Sequence, residues 1–288
     1  MSSSSHHEHT SPYPTSSRPV HASYASEKIT TGAGVAIFHL ASARVVVCYH
    51  SRDGYWFLPK GRRNVGEETG AAAEREGFEE SGYRNRLLPL PILHRQPEPD
   101  DALEPTPFVT EPLWTQLLPQ SKTAQYLLFW YAAETLPPEA EEEADVAAAA
   151  AARSRATDVP ELEKLDLGAG SDSGGAAAAA ATLAATANPN PSVEATPTQP
   201  GLYTPPPPYP PTLRIADRIS MDSLPGGAIY EPVRHEGTGV DEEEALYEAY
   251  LLPIQEARRK LRGTVMADVV RRGWEGVGLR RRMEEEGG

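Results

Sequence analysis

WFLPKGRRNVGEETGAAAEREGFEESGY, residues 56–83, is the stretch that decides the fold of this chain. It begins with strand-forming residues, continues through a basic loop punctuated by glycines, and ends in a segment of helical composition. Thr69 is placed to cap the helix, the alanines after it are strong helix formers, and Gly82 stands where a left-handed terminal residue is favoured. The stretch therefore predicts a strand, a loop and a helix in succession.

Three carboxylates share one face of the predicted helix. Glu76, Glu79 and Glu80 stand at positions i, i+3 and i+4, so their side chains reach a common point. Clustered carboxylates repel one another unless a cation lies between them, and hard oxygen ligands of this kind suit Mg²⁺ or Mn²⁺. We therefore predict a divalent-metal site in which these glutamates are both the metal-binding and the catalytic residues.

The loop before the helix carries positive charge. Lys60, Arg62 and Arg63 are suited to phosphate oxygens, and the glycines beside them let backbone approach a ligand closely. A basic loop followed by a metal-binding acidic helix predicts cleavage of a pyrophosphate. The alternative is a solvent-exposed acidic helix, because charge runs are usually exposed faces. Seven polar or glycine positions at fixed spacing after a strand argue against that alternative.

The spacing of these residues resembles the signature of the Nudix hydrolases. The matching positions are Gly61, Glu67, Arg75, Glu76, Glu79, Glu80, Gly82 and Tyr83. One position departs from the signature, because Gly77 stands where the family usually has an aliphatic residue. A glycine inside a helix costs roughly 1 kcal/mol relative to alanine. We expect it to leave the core side of the helix underfilled.

The resemblance implies an α/β/α sandwich with a mixed β-sheet, and hydrolysis of a diphosphate linked to another moiety. It implies that the Lys60 carbonyl helps the glutamates to hold Mg²⁺, with Mn²⁺ as the alternative. Arg75 is expected to pair with Glu67 and orient the loop, while Gly61 and Gly82 have structural roles. One of the three glutamates would act as the general base, and the sequence does not say which.

Two substrate classes fit the entry to the signature. Residues 56–62 resemble the same stretch in hydrolases of diadenosine polyphosphates and in diphosphoinositol polyphosphate phosphohydrolases. We favour the dinucleotide, because aromatic residues near the strand at 125–131 suit a base-stacking pocket. The candidate rings are Trp114, Tyr126, Trp130 and Tyr131, each of which also suits the core. A non-catalytic Nudix-like module that binds a ligand or recruits partners is the alternative from a different class.

Composition and net charge limit the cellular compartments and the binding partners that suit this chain. A formal net charge of −14 argues against binding of nucleic-acid polymers or anionic membranes. The single cysteine, Cys48, lies in an apolar run and is predicted to be a buried small hydrophobe, which favours a reducing intracellular compartment, the cytoplasm or the nucleus. No run approaches the roughly 20 apolar residues that span a bilayer. We therefore expect a small phosphorylated substrate and no membrane insertion.

The composition also predicts how the chain is divided. We expect a disordered tail at 1–27, the first part of a Nudix domain at 28–134, a largely disordered low-complexity insertion at 135–243, the closing strand and helices at 244–279, and a charged tail at 280–288. Strands are predicted at 29–40, 44–50, 55–58, 87–93, 123–133 and 247–254, with a long loop at 96–120. Within the insertion, the stretch from Pro206 to Tyr209 fits a motif that docks on WW domains.

Overall fold

The structure is a computed structural model that describes residues 16–97, 107–157, 203–239 and 242–287. Its strands are β1 (Ile29–His39), β2 (Arg44–His50), β3 (Tyr55–Phe57), β4 (Lys60–Arg62), β5 (Asn85–Leu87), β6 (Trp114–Pro119), β7 (Gln125–Thr135) and β8 (Tyr247–Pro253). Its helices are α1 (Thr69–Ser81), α2 (Pro138–Thr157), α3 (Ile215–Met221), α4 (Ile254–Lys260) and α5 (Val265–Glu286).

The strands form one mixed sheet of eight members, with β1 near its centre. Its main path runs β3, β2, β1, β7, β5, while β4 pairs with β1, β6 with β7 and β8 with β2. β1 and β7 are parallel over their whole length, from Ile29 opposite Gln125 to Phe38 opposite Glu134. The other pairs are antiparallel. The last strand of the chain thus joins the sheet beside β2, next to the strands that begin the domain.

Helices cover both faces of this sheet. Successive side chains of a strand point to opposite faces, so Val35 packs with the alanines of α1 while Phe38 packs with α4 and α5. Each face is completed by its own apolar cluster. This arrangement confirms the predicted α/β/α sandwich with a mixed sheet.

The segment after α1 differs from the prediction of a strand at 87–93 and a loop at 96–120. Between residues 85 and 93 the only strand is β5, because Pro89 and Pro91 lack the N–H groups that would extend its hydrogen bonding to β7. Within the predicted loop, β6 pairs with β7 and alternates half-buried and exposed side chains. This alternation extends over only six residues and is flanked by prolines, so the sequence pattern did not indicate a strand here.

Both flanks of the predicted insertion are ordered, which corrects the prediction of disorder for residues 135–157 and 203–239. Strong helix formers extend α2, and Ile215 of α3 is fully buried. Arg218 of α3 is also fully buried, and it pairs with Glu134 at 2.7 Å and with Asp222 at 2.9 Å. Charge pairing therefore holds the second flank on the domain. Residues 158–202 lie outside the described part of the chain.

Tyr209, the tyrosine of the predicted WW-docking motif, is 5% exposed. The guanidinium groups of Arg86 and Arg280 lie 5.2 and 4.8 Å from its ring centre. The ring is part of the core that includes Leu88 and Val277. A WW domain reads an exposed proline-tyrosine stretch, so the folded chain does not present this tyrosine for docking.

The predicted charged tail at 280–288 is a continuation of α5 through Glu286. Arg280 is 2% exposed and donates hydrogen bonds of 2.7 Å to the carbonyl oxygens of Pro89 and Leu213. It also pairs with Glu284 at 2.7 Å, one helical turn away. The predicted charged tail is therefore part of a helix, which Arg280 holds on the domain through its hydrogen bonds to two other segments.

Cys48 is fully buried in β2, as predicted, and burial raises the pKa of its thiol well above the usual value. Among the residues that the structure describes, no helix combines the length and the apolar character that crossing a membrane requires.

Candidate metal and active site

The loop and α1 form the strand, turn and helix that the sequence predicts. α1 ends at Gly82, whose φ of +75° is left-handed and whose N–H bonds to the Phe78 carbonyl. The prediction of Thr69 as the cap is off by one residue, because Glu68 is the N-cap residue and Thr69 begins the helix. The Thr69 hydroxyl bonds instead to the Tyr131 hydroxyl at 2.7 Å. The local sequence thus places the acidic face of α1 against the loop.

Gly77 does not leave the core side underfilled, which corrects that expectation. A Cβ added at this position would lie 2.6 Å from Asn85 Nδ2 and 2.9 Å from Val35 Cγ1. Asn85 is fully buried and donates to the Glu74 carbonyl at 2.9 Å. The asparagine from β5 therefore fills the space that an aliphatic side chain would occupy, and glycine is the residue that leaves room for it.

Three carboxylates converge at the site, and one of them comes from the far end of the chain. Oxygen atoms of Glu76, Glu80 and Glu244 all lie within 4.8 Å of one another. Glu244 belongs to a short 3₁₀ turn, Glu244–Leu246, that leads directly into β8. Sequence reasoning missed Glu244, because the acidic run at 241–244 looks like a solvated charge cluster.

The loop backbone approaches these carboxylates closely. The Lys60 N–H donates to Glu80 Oε2 at 2.7 Å. At Gly61 an added Cβ would overlap the carboxylate of Glu76, so only glycine lets the loop pass this close. Tyr126 also donates its hydroxyl to the Gly61 carbonyl at 2.7 Å. The glycine of the loop thus permits the contact between β4 and the acidic helix.

Arg75 organises the outer side of the site. It grips Glu67 with two hydrogen bonds of 2.8 and 3.0 Å, so the predicted pair is present. Its Nη1 also donates to Glu76 at 2.8 Å and to Glu79 at 2.6 Å. Glu79 therefore shares Arg75 Nη1 with Glu76, at the edge of the group that Glu76 forms with Glu80 and Glu244.

Burial disfavours the ionised forms of Glu76 and Glu80, the two inner glutamates of the site, in the absence of a cation. Desolvation raises the pKa of Glu80 to about 8, against a smaller opposing effect of Lys60. Desolvation also raises the pKa of Glu76 to about 7, although Arg75 partly offsets it. A divalent cation stabilises the ionised form of such buried carboxylates, because its charge compensates for the loss of hydration. The oxygen-only donor set fits Mg²⁺ or Mn²⁺.

The three predicted phosphate-binding cations take different positions. Lys60 is half-buried, its ammonium group lies 5.8 Å from the ring centre of Phe57, and the residue also lines a neighbouring cavity. Arg62 is exposed, and its carbonyl accepts a hydrogen bond from Arg75 at 2.9 Å. Arg63 is also exposed but ties the loop by donating to the Glu67 carbonyl at 2.8 Å. Lys60 and Arg62 are therefore better placed than Arg63 to meet a substrate.

A cavity of about 880 Å³ adjoins the site at Lys60. It lies between the β6–β7 hairpin and the first turn of α5, and Trp114 and Trp130 form part of its wall. Trp130 is 1% exposed, and its ring nitrogen donates to Gln116 Oε1 at 2.8 Å. Among the described residues that line the cavity, Lys60 is the only charged one. The lining of the cavity is thus mostly apolar.

Comparison with known proteins finds one matching family model and several similar structures. Residues 30–167 match the family model described as the NUDIX domain. A NUDIX family hydrolase from Clostridium perfringens is 21% identical, with 37% of this chain and 68% of that chain covered and a TM-score of 0.27. A NUDIX hydrolase from Nitrosomonas europaea is 16% identical, with 38% of this chain and 60% of that chain covered and a TM-score of 0.26. The Ap4A hydrolase of C. elegans is 18% identical, with 39% of this chain and 72% of that chain covered and a TM-score of 0.26.

Proposed function

We propose that this chain, a pyrophosphohydrolase with a Nudix domain, cleaves a phosphoanhydride bond of a diadenosine polyphosphate. The observation that carries this proposal is the cavity beside the three carboxylates. Its wall includes the half-buried Trp114, which is the ring available for stacking because the neighbouring Trp130 is 1% exposed, and Lys60 is its only charged lining residue within the described part of the chain. An adenine base suits such a chamber, because its flat apolar faces stack on aromatic rings.

The carboxylates of Glu76, Glu80 and Glu244 would hold Mg²⁺, or Mn²⁺ in its place, and the Lys60 carbonyl is a further proposed ligand. When bound, the metal neutralises phosphate charge and lowers the pKa of a water. Glu79 is a proposed additional ligand on the outer side, where Arg75 now holds its carboxylate. One of Glu76, Glu79 and Glu80 would accept the proton of the attacking water as the general base.

The remaining groups bind and orient. The Lys60 side chain and the exposed Arg62 would contact the outer phosphates, with Arg63 as a further candidate at the rim. In the reaction, water oxygen bonds to one phosphorus while the bridging P–O bond breaks, and the leaving phosphate takes the electron pair. Arg75 and Glu67 keep the loop in place throughout, since their paired contacts are made without substrate.

A diphosphoinositol polyphosphate is the second candidate. The exposed Arg62 and Arg63 favour it, because a highly anionic ring needs several cations around it. The adjoining cavity favours the dinucleotide, because it offers one cation and a large apolar wall. A non-catalytic binding module is the third alternative. It is weakened by the presence of every signature glutamate and by the burial of Tyr209.

The experiment is a substrate panel with Mg²⁺, containing diadenosine tetraphosphate, a diphosphoinositol polyphosphate, nucleoside diphosphate sugars and dinucleotide cofactors. Products are separated by chromatography for the wild type, Trp114→Ala and the control Tyr250→Ala. Tyr250 is an exposed aromatic residue outside the cavity lining. We expect turnover of diadenosine tetraphosphate, with KM raised roughly 5- to 150-fold by Trp114→Ala, which corresponds to about 1–3 kcal/mol of stacking.

Other results would change the assignment. Preferred turnover of the diphosphoinositol substrate, with no effect of Trp114→Ala, would move the assignment to the second candidate. No turnover of any panel member by a folded protein would favour the binding module.

A further inference from the structure

The returning end of the insertion crosses the end of α1. The His235 N–H donates to the Gly82 carbonyl at 2.8 Å, and Tyr83 and Arg234 form an isolated antiparallel bridge. A Cβ at Gly82 would overlap the His235 carbonyl oxygen, so the contact requires glycine. Residues 234–239 thus run directly over the end of the catalytic helix. We call residues 234–239 the crossing segment.

A charged cluster ties the crossing segment to α2. Arg84 Nη1 lies 2.6 Å from carboxylate oxygens of both Glu141 and Asp145. His235 Nε2 lies 2.6 Å from Glu141 Oε1 and 3.0 Å from Arg84 Nη1. The side chains of Arg84 and Glu141 are 9% and 7% exposed, so water screens this pair little, while Asp145 at the edge of the cluster is 56% exposed. The two flanks of the insertion therefore meet at Arg84, three residues after the last residue of α1.

This cluster has the residue types of a metal site, since Glu141, Asp145 and His235 offer ligand atoms within 4.8 Å of one another. The guanidinium group of Arg84 already supplies the positive charge there, with two contacts of 2.6 Å. The guanidinium group thus occupies the position of a bound cation. It links α2 to the crossing segment.

The crossing segment also reaches the metal site. The Thr238 hydroxyl donates to the Glu79 carbonyl at 2.9 Å, and Thr238 is 6% exposed. A Cβ on Gly239 would lie 2.9 Å from Glu244 Cβ, so the segment packs against Glu244 itself. A cavity of about 270 Å³ is walled on one side by the crossing segment and on the other by Glu80 and Glu244. Displacing the segment would therefore move Glu244.

We propose that Arg84, Glu141 and His235 are positioning residues that clamp the crossing segment onto α1 and so hold Glu244 in place beside Glu76 and Glu80. The inference rests on the proposed function, because it concerns the metal-binding carboxylates of the same site. It gives the ordered flanks of the insertion a part in building the site. Neither flank has that role if the insertion is only a spacer.

The test measures the dissociation constant of Mn²⁺ for the full chain without substrate, from the electron paramagnetic resonance signal of free Mn²⁺. The variants are His235→Ala and Glu141→Gln, and the matched control is Glu142→Gln, since Glu142 is the exposed neighbour of Glu141. Residues that orient metal ligands typically change metal affinity by about 10- to 100-fold. We expect an increase in that range for both variants and no change for the control.

Turnover of the preferred panel substrate then separates positioning from stability. At saturating Mn²⁺, the variants should recover most of kcat with an unchanged substrate KM, and Arg84→Lys should retain tighter Mn²⁺ binding than Arg84→Met. If His235→Ala or Glu141→Gln fails to fold, Thr238→Val takes its place in the test, because it removes only one hydroxyl. It should also weaken Mn²⁺ binding. A lower Tm with unchanged Mn²⁺ affinity in all variants would overturn the proposal and leave the proposed function standing. A folded wild type that binds no Mn²⁺ would overturn both.

Discussion

Replacing Gly77 with alanine tests how α1 packs on the sheet. By helix propensity alone this substitution should stabilise α1 by about 1 kcal/mol. The new methyl group would lie 2.6 Å from Asn85 Nδ2 and 2.9 Å from Val35 Cγ1, and both neighbours lie in the fully buried interior. The structure therefore predicts the opposite sign from the sequence.

The magnitude follows from what has to move. Overpacking a filled interior costs about 1–3 kcal/mol. If Asn85 shifts, it also weakens its hydrogen bond to the Glu74 carbonyl, worth about 1 kcal/mol. Set against the gain in helix propensity, the net result is a loss of about 1–3 kcal/mol in the free energy of unfolding for Gly77→Ala.

The measurement is urea denaturation followed by circular dichroism, with Gly278→Ala as the matched control. Gly278 lies inside α5, and an added Cβ there would meet only Arg282 Nη1 at 3.7 Å. The control should be stabilised by up to about 1 kcal/mol, since it gains propensity without a clash. If Gly77→Ala is stabilised as much as the control, the packing of Asn85 against α1 is refuted.

Three further predictions follow from buried groups. Arg218→Met should lower the free energy of unfolding by about 3–5 kcal/mol in urea denaturation, because it leaves Glu134 buried with its charge partly unpaired. In chelator, stability should fall as pH rises from about 5 to 8, because the raised pKa of Glu80 means that the folded state binds more protons there. Glu80→Gln should flatten that slope in the same denaturation series. Gly61→Ala should lower kcat in the turnover assay, because the added methyl group overlaps Glu76.

Local sequence predicts the centre of this site well. The spacing of Glu76 and Glu80 on α1, the pairing of Arg75 with Glu67 and the left-handed Gly82 all depend on residues within one segment. Helix period and turn chemistry are sufficient to place the two glutamates and Gly82, while the pairing of Arg75 with Glu67 is what the family resemblance implies. These features could be predicted without knowledge of the rest of the chain.

Contacts between distant segments could not be predicted in the same way. Glu244 reaches the site only because β8 joins the sheet beside β2. Arg218 and Arg280 look like surface cations in the sequence, yet they are buried because carboxylates and carbonyls from other segments surround them. Composition alone suggested disorder around Tyr209, since it does not reveal which polar residues will find buried partners.

The central claim is that the buried carboxylates on α1 hold the metal that supports cleavage. The most direct measurement compares Mg²⁺-dependent hydrolysis of diadenosine tetraphosphate by the wild type, Glu80→Gln and the control Glu68→Gln, each shown to be folded. Glu68 is exposed just before α1. The account predicts that Glu80→Gln lowers kcat by at least about 100-fold, the scale for losing one strong electrostatic contact in a transition state, while Glu68→Gln retains wild-type turnover. Equal turnover by the wild type and Glu80→Gln would contradict it.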